Sequence, residues 1–225
     1  ELRALRAGPA VFYDAAEPQM REGSSRFAWR GYEVELMVAG AHNALNATGA
    51  LEAARLAGVG ERAAVASLAG FRGAARRFQR VGQTARGAVV IDDYAHHPSE
   101  VAATLSAART LQPQRLVAVF QPHLYSRTAM FAREFGAALA RADAVAVLEV
   151  YPARERAEDH PGVSGLRVAR AASERAGGRP VFWLPTFEAA HAVLSALLRA
   201  GDLCVAMGAG NVDTLARCLV DGSGV

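Results

Sequence analysis

The stretch Val89-Val90-Ile91-Asp92-Asp93-Tyr94-Ala95-His96-His97-Pro98-Ser99-Glu100 decides the fold of most of this chain. It opens as a short run of β-branched apolar residues, the signature of a buried strand. It then turns polar and enters a helical pattern, Pro98 to Arg109, with proline near the first turn where its missing N–H is not needed. The same alternation repeats downstream. Leu116–Phe120, Ala144–Val150, Pro180–Leu184 and Leu203–Met207 read as further strands, and Ser126–Arg141, Ser164–Ala176, Thr186–Arg199 and Val212–Val220 as helices. Strands alternating with helices predict an α/β domain, a Rossmann-like doubly wound and largely parallel sheet.

Upstream the pattern differs. Ala10–Tyr13, Arg26–Arg30 and Tyr32–Val38 read as strands, the last with Glu33 and Glu35 between apolar residues. They look like the tail of a sheet begun earlier. An alanine-rich stretch from His42 to Ala57 follows, with Leu45, Leu51 and Leu56 at helical spacing and Gly58 as a stop, and then a second helix from Glu61 to Leu68. Gly70, Gly73 and Gly82 punctuate a looser stretch. The domain boundary is therefore expected between residues 68 and 76, giving an incomplete first domain, 1–70, and a second domain, 71–225.

Composition narrows the chemistry. The 225 residues carry 25 basic side chains, every one an arginine, against 22 acidic ones. Without lysine the chain can hold no Walker-A lysine, no Schiff-base lysine and no pyridoxal-phosphate anchor. The arginines are scattered and the net charge is only +3, so nucleic acid is not an expected partner. Cys204 and Cys218 make no disulfide framework and read as reduced thiols of a cytoplasmic protein. No apolar run approaches the roughly 18 to 20 residues of a membrane span. The chain starts Glu1-Leu2-Arg3-Ala4, without an initiating methionine, and is expected to be a fragment.

In such a sheet, ligands bind beyond the carboxyl ends of the strands. Four polar clusters fall there: residues 92–100, then Gln121-Pro122-His123-Leu124-Tyr125-Ser126-Arg127, then Tyr151-Pro152-Ala153-Arg154-Glu155, then Gly208-Ala209-Gly210-Asn211. Each has a bland reading as a cap, a surface pair or a turn. Together, the first two gather three of the six histidines, two adjacent carboxylates and an arginine. Residue chemistry leaves several possibilities. His96, His97 and His123 with Asp92 or Asp93 suit a transition metal, though no pair has zinc-protease spacing. The carboxylates alternatively suit Mg²⁺ or a ribose diol, arginine a carboxylate or phosphate, and histidine an oxyanion or a proton. A carboxylate substrate with a phosphorylated cofactor is the favoured combination.

At these residues the chain resembles the ATP-dependent Mur ligases of peptidoglycan synthesis, in particular the branch that adds alanine. The Asp-Asp-Tyr-Ala-His-His-Pro-Ser-Glu, Gln-Pro-His-Leu-Tyr-Ser-Arg-Thr, Glu-Val-Tyr-Pro-Ala-Arg-Glu and Gly-Ala-Gly-Asn segments match that family in order, as do His42-Asn43-Ala44-Leu45-Asn46-Ala47 and Gly73-Ala74-Ala75-Arg76-Arg77-Phe78 upstream. The resemblance spans roughly residues 30–220. It implies the end of a P-loop ATPase-type central domain followed by a whole C-terminal ligase domain, with the N-terminal and P-loop domains lying elsewhere in the same enzyme. The implied reaction joins L-alanine to the muramyl carboxylate of UDP-N-acetylmuramate through an acyl phosphate, with ATP and Mg²⁺ as cofactors.

The resemblance also implies roles. His42, Asn43 and Asn46 contact adenine, Arg77 reaches the nucleotide phosphates and Asp93 the ribose, while Arg76 is solvated. Tyr94, His96, His123 and Arg127 face the amino acid and the reacting carboxyl, with Arg127 clamping the alanine carboxylate and His123 beside the acyl phosphate. Gly210 and Asn211 join the substrate contacts, and no residue is assigned to a protein-held metal. Two departures stand out. Ala41 and Leu124 occupy positions where some members carry arginine. Two alternatives remain, the related ligase that attaches a recycled murein tripeptide and a non-catalytic interaction module.

Overall fold

The computed structural model describes residues 13, 17–21, 24–38 and 40–223. The chain divides into two compact units, Glu1–Arg72 and Gly73–Val225. The expected strand at Ala10–Tyr13 lies outside the described residues except for Tyr13.

In the first unit, β1 (Gln19–Arg21), β2 (Ser24–Trp29) and β3 (Tyr32–Leu36) form an antiparallel sheet in that order. A two-residue turn joins β2 to β3, with Arg30 at φ 48° and Gly31 at φ 85°, the left-handed pair that matches the twist of a tight hairpin. Alternation then decides what is buried. Phe27, Trp29, Val34 and Leu36 point inward and meet Ala44, Ala47 and Leu51 of α1 (Ala41–Leu56) and Ala64 of α2 (Glu61–Leu68). The leucine spacing read from the sequence is only partly the core face. Leu51 is buried, whereas Leu45 and Leu56 are 43% and 61% exposed. The buried stripe is instead made of small residues with Thr48 and Glu52. Glu52 is tolerated there because its carboxylate accepts from Trp29 Nε1 and Arg55 Nε, both at 3.0 Å.

The second unit is a six-stranded mixed sheet in the order β4-β5-β9-β6-β7-β8. The strands are β4 (Gln79–Gln83), β5 (Val89–Asp93), β6 (Arg115–Phe120), β7 (Ala144–Val147), β8 (Val181–Trp183) and β9 (Asp202–Met207). All but β4 are parallel, and β4 pairs antiparallel with β5 at one edge. The five expected strands are present, although β7 ends at Val147 rather than Val150. The expected helices are present as α3 (Pro98–Thr110), α4 (Tyr125–Leu139), α5 (Gly165–Ser173), α6 (Phe187–Leu197) and α7 (Val212–Asp221).

Both faces of the sheet are covered, which is why its strands read as continuous apolar runs. Ile91, Leu116, Phe120, Val147 and Val205 pack against α3, α4 and α5, while Val90, Val117, Val119, Ala146 and Cys204 pack against α6 and α7. Small residues let the layers close. A Cβ on Gly136 of α4 would lie 2.5 Å from the Ala171 backbone of α5, and one on Gly165 only 1.9 Å from the Leu148 carbonyl. At the amino ends of the strands, Asp202 of β9 takes two bonds from Arg115 of β6, at 3.0 and 2.6 Å. The sheet is thus a rigid platform, and its carboxyl edge carries the polar loops.

Candidate functional site

Side chains alternate along β5, so its last two residues diverge. Asp93 turns toward α3. Its Oδ1 accepts from Ala95 N at 2.8 Å and Thr104 Oγ1 at 3.2 Å, and its Oδ2 from Phe78 N at 2.7 Å. It is 4% exposed, and burial raises its carboxyl pKa against these three bonds. Three of the roughly four acceptor positions of a carboxylate are therefore filled from within the protein. Asp92 turns the other way, and burial raises its pKa too, against the opposing charge of Arg76.

Arg76 is not solvated, contrary to the sequence reading. Its Nε lies 3.2 Å from Asp92 Oδ2, its Nη2 donates to Gly208 O at 2.7 Å and its Nη1 to Gly210 O at 2.9 Å. One guanidinium fork thereby joins the ends of β5 and β9, a task a lysine ammonium cannot match geometrically. Tyr94 N donates to the Arg76 carbonyl at 2.6 Å, closing the turn from the other side. Arg77 is exposed instead, with its guanidinium 5.4 Å from the centre of the Tyr94 ring.

The paired histidines have opposite tasks. His97 is the N-cap of α3, where its Nδ1 accepts from Ser99 N while Glu100 reaches back to the His97 N–H. His96 Nδ1 lies 2.9 Å from the Tyr94 carbonyl, which can only accept. That bond places the His96 proton on Nδ1 and, in the neutral ring, leaves Nε2 with its lone pair. The His96 ring stands edge-on to Tyr94 at 5.3 Å and 6.1 Å from the ring of His123.

His123 follows β6, where the ladder with β7 reappears as a single parallel bridge between His123 and Tyr151. Tyr151 N donates to Pro122 O at 2.8 Å, and Leu124 N to Tyr151 O at 2.9 Å. Burial, assisted by Arg127, His96 and Arg154, lowers the His123 pKa against the pull of Glu155, so the ring is held neutral. Leu124 then turns at φ 70° and starts α4. Arg127 lies in the first turn of that helix. Ser126, beside it, is fixed by Glu155, which accepts from Ser126 N at 2.9 Å and Ser126 Oγ at 2.5 Å.

Five buried side-chain atoms among the described residues have no partner within the protein, and four are in this region: Asp92 Oδ1, Gln121 Oε1, His123 Nδ1 and Arg127 Nη1. Native proteins rarely bury unsatisfied polar atoms, so a cluster of them marks a place prepared for something else. Asn211, the N-cap of α7, uses its side-chain oxygen to accept from Gln121 Nε2 at 2.9 Å. Gly210 lies against both Gln121 and Tyr151.

The remaining candidates, His42, Asn43 and Asn46, belong to the first unit. They occupy the opening turns of α1, and Asn46 is exposed. Gly40 is the N-cap, at φ 111°, and the His42 ring folds back so closely that a Cβ on Gly40 would lie 2.5 Å from it. The three positions are spaced i, i+1 and i+4, so His42 and Asn46 share a helix face.

The profile of the family described as "Mur ligase, glutamate ligase domain" matches residues 76–210. The chain belongs to the Mur ligase family. Among curated proteins, it is 52% identical over 192 residues to UDP-N-acetylmuramate–L-alanine ligase of Mycolicibacterium vanbaalenii, covering 84% of this chain and 38% of that protein. It is 46% identical over 228 residues to the enzyme of the same name from Mycolicibacterium gilvum, covering 96% and 46%. The crystal structure of UDP-N-acetylmuramate–alanine ligase from Thermotoga maritima superposes with a TM-score of 0.74 at 25% identity, covering 92% of this chain and 45% of that one. A murein peptide ligase from Psychrobacter arcticus shares the fold, with a TM-score of 0.64 at 24% identity over 91% and 42% of the two chains.

This Mur ligase chain spans less than half the length of these relatives. Its matched region begins at Arg76 and ends at Gly210, the two residues joined by one of the guanidinium bonds. Sequence reasoning assigned no role to Arg76 beyond the surface and none to Gln121, Tyr151 or Glu155. All four lay inside quoted motifs, but their tasks depend on backbone turns that residue types do not reveal.

Proposed function

We propose that this chain forms part of an enzyme that joins L-alanine to the muramyl carboxylate of UDP-N-acetylmuramate, with ATP as the energy source. One observation carries the reading: the unpartnered Arg127 Nη1 and His123 Nδ1, buried at the start of α4, in a chain about half identical to enzymes of that name. ATP activates the carboxylate as an acyl phosphate, and all else asked of this chain is binding, orientation and proton handling. Arg127 holds the alanine carboxylate, since a guanidinium suits that planar anion. His123, kept neutral by burial, faces the reacting carboxyl and takes a proton as the attacking ammonium becomes an amine. Tyr94 and His96 line the same place, with Gly210 and Asn211 as further substrate contacts.

For the nucleotide, His42, Asn43 and Asn46 are assigned to adenine, Arg77 to the phosphates and Asp93 to the ribose through its one remaining acceptor position. The exposed Arg77 fits a phosphate ligand. Mg²⁺ is assigned no protein ligand in this chain. No helix among the described residues is long and apolar enough to cross a membrane. The reaction is placed in the cytoplasm, where ATP is available.

The test is kinetic, on the full-length enzyme. Arg127→Ala should raise the alanine KM by about a hundredfold, the loss of a charge-assisted bidentate contact, and leave the ATP KM within about threefold. Equal effects on both constants would overturn the clamp. Competition between alanine and the murein tripeptide as acceptors should favour alanine, and preference for the tripeptide would replace the reading with its relative.

A further inference from the structure

Tyr151 has no part in the reading above, yet it touches two of that site's members. Its ring is nearly parallel to the His123 imidazole, with centroids 5.8 Å apart and planes 13° apart. Its backbone brackets the same residue, donating to Pro122 on one side of His123 and accepting from Leu124 on the other. Its Cβ and Cγ lie against Gly210, where an added Cβ would sit 2.8 and 2.6 Å away. Leu124, the next residue, leaves the strand at φ 70°, a left-handed turn that costs a leucine about 1–2 kcal/mol and persists only where its surroundings dictate it.

We propose that Tyr151 is a positioning residue that fixes the orientation of the His123 imidazole by stacking on it and bracing it against the Gly208–Gly210 turn. The backbone bridge sets where His123 stands, and the ring contact sets how its imidazole is turned. A histidine on a loop end otherwise samples several rotamers, and its reacting nitrogen would be in place only part of the time. The inference deepens the proposed function, because the value of a fixed imidazole depends on the role given to His123, but the positioning itself is testable without catalysis.

The groups facing His123 from each surrounding element are His96 beyond β5, Arg127 on α4, and Tyr151, Arg154 and Glu155 beyond β7. The three cationic or ionisable bases oppose protonation and Glu155 favours it, while the Tyr151 ring keeps water from one face.

The experiment is an NMR titration of the histidine ring protons in the 225-residue chain, with the His123 signal assigned by its loss in His123→Gln. In the parent protein the His123 midpoint should lie below the ordinary value of 6.5. In Tyr151→Leu it should rise by about half a pH unit or more as water reaches the ring, and in Tyr151→Phe, which keeps the stack, it should move by no more than about 0.2 units. In the full-length enzyme, Tyr151→Leu should lower kcat about tenfold or more with the ATP KM within about threefold, and Tyr151→Phe should restore it. An unmoved His123 midpoint in a folded Tyr151→Leu protein overturns the proposal, as does a Phe variant as impaired as the Leu variant. Should the Leu variant not fold, Gly210→Ala in a Gln121→Ala background decides, since its methyl then presses on Tyr151 Cγ, 2.6 Å away, without the competing Gln121 contact at 2.5 Å. A shifted His123 signal there supports the proposal and an unchanged one overturns it. If His123→Gln leaves ligation intact, the catalytic reading fails, while the titration still decides the positioning.

Discussion

The Arg76 guanidinium stands 3.2 Å from the Asp92 carboxylate, sixteen residues later in the chain, and anchors the segment that leads into the sheet. Asp92 is 3% exposed, and one of its oxygens already lacks a partner. Removing Arg76 would strand the carboxylate and two glycine carbonyls. Arg76→Ala should therefore destabilise the second unit by about 3 kcal/mol, in the range for breaking a buried ion pair. Arg77→Ala, at an exposed neighbour, should change stability by no more than about 0.5 kcal/mol. Urea unfolding of the two variants side by side checks the contrast.

Asp93 presents acceptors to three donors on three different segments. Asn at this position keeps one oxygen and turns an NH2 toward at least one of those N–H groups. Asp93→Asn should cost about 1–3 kcal/mol, the penalty of an unsatisfied buried donor. The pH dependence has a definite sign. Because burial raises the folded pKa above 3.8, ionised Asp93 detracts from stability above that raised value, and the penalty fades as the pH falls and the folded state takes up the proton first. The Asn variant should lose this component, which unfolding curves between pH 3 and 7 would show.

His123 contributes with the opposite slope. Its folded pKa is lowered from 6.5, so the unfolded chain binds its proton first as the pH drops. Stability is undiminished above that value and declines as the pH falls through the window down to the depressed folded value. His123→Gln should flatten the stability profile in that window and leave it unchanged above about pH 7.5. Thermal unfolding midpoints across pH 4–8 provide the check.

Gly165, the first residue of α5, packs directly on the chain just past the end of β7. An added Cβ would meet the Leu148 carbonyl at 1.9 Å, a backbone atom that cannot swing aside. Gly165→Ala should cost about 2–3 kcal/mol through forced backbone shifts. Gly60→Ala, where nothing lies within 4 Å, should stay within about 0.5 kcal/mol of the parent. Denaturant midpoints of both variants test whether close approach, rather than loss of glycine as such, is responsible.

The sequence was most legible where packing is two-sided. Val89–Ile91 and Leu203–Met207 announce strands because both of their faces are covered, and α2 runs over Glu61–Leu68 as its pattern predicts. Strand β4 escaped notice. Gln79-Arg80-Val81-Gly82-Gln83 has one large apolar residue and a glycine, and its five residues are exposed or only half-buried at the sheet's edge. Backbone pairing with β5 makes it a strand, and pairing leaves no mark on residue type. In α1, helical periodicity was visible but not which face would be covered, because alanines supply the buried stripe and two leucines stay outside. The site was legible as a set of loops, not as assignments within them. Which of Arg76 and Arg77 turns inward depends on a left-handed turn at Arg76, φ 57°, which the sequence Arg-Arg-Phe does not disclose.

The position of β9 constrains how this unit can be made. It is the last strand in sequence but lies third in the sheet, between β5 and β6. Until it arrives, those two strands must wait with a vacant lane between them, about 10 Å wide at normal strand spacing and lined by unpaired amides and carbonyls. A partly synthesised chain that already has β5 to β8 is therefore not a smaller version of the domain. It is a split sheet with two sticky inner margins, open to capture by any extended segment nearby. The strand that finishes the platform also brings the glycine turn, so the Arg76 anchor cannot close before the sheet does.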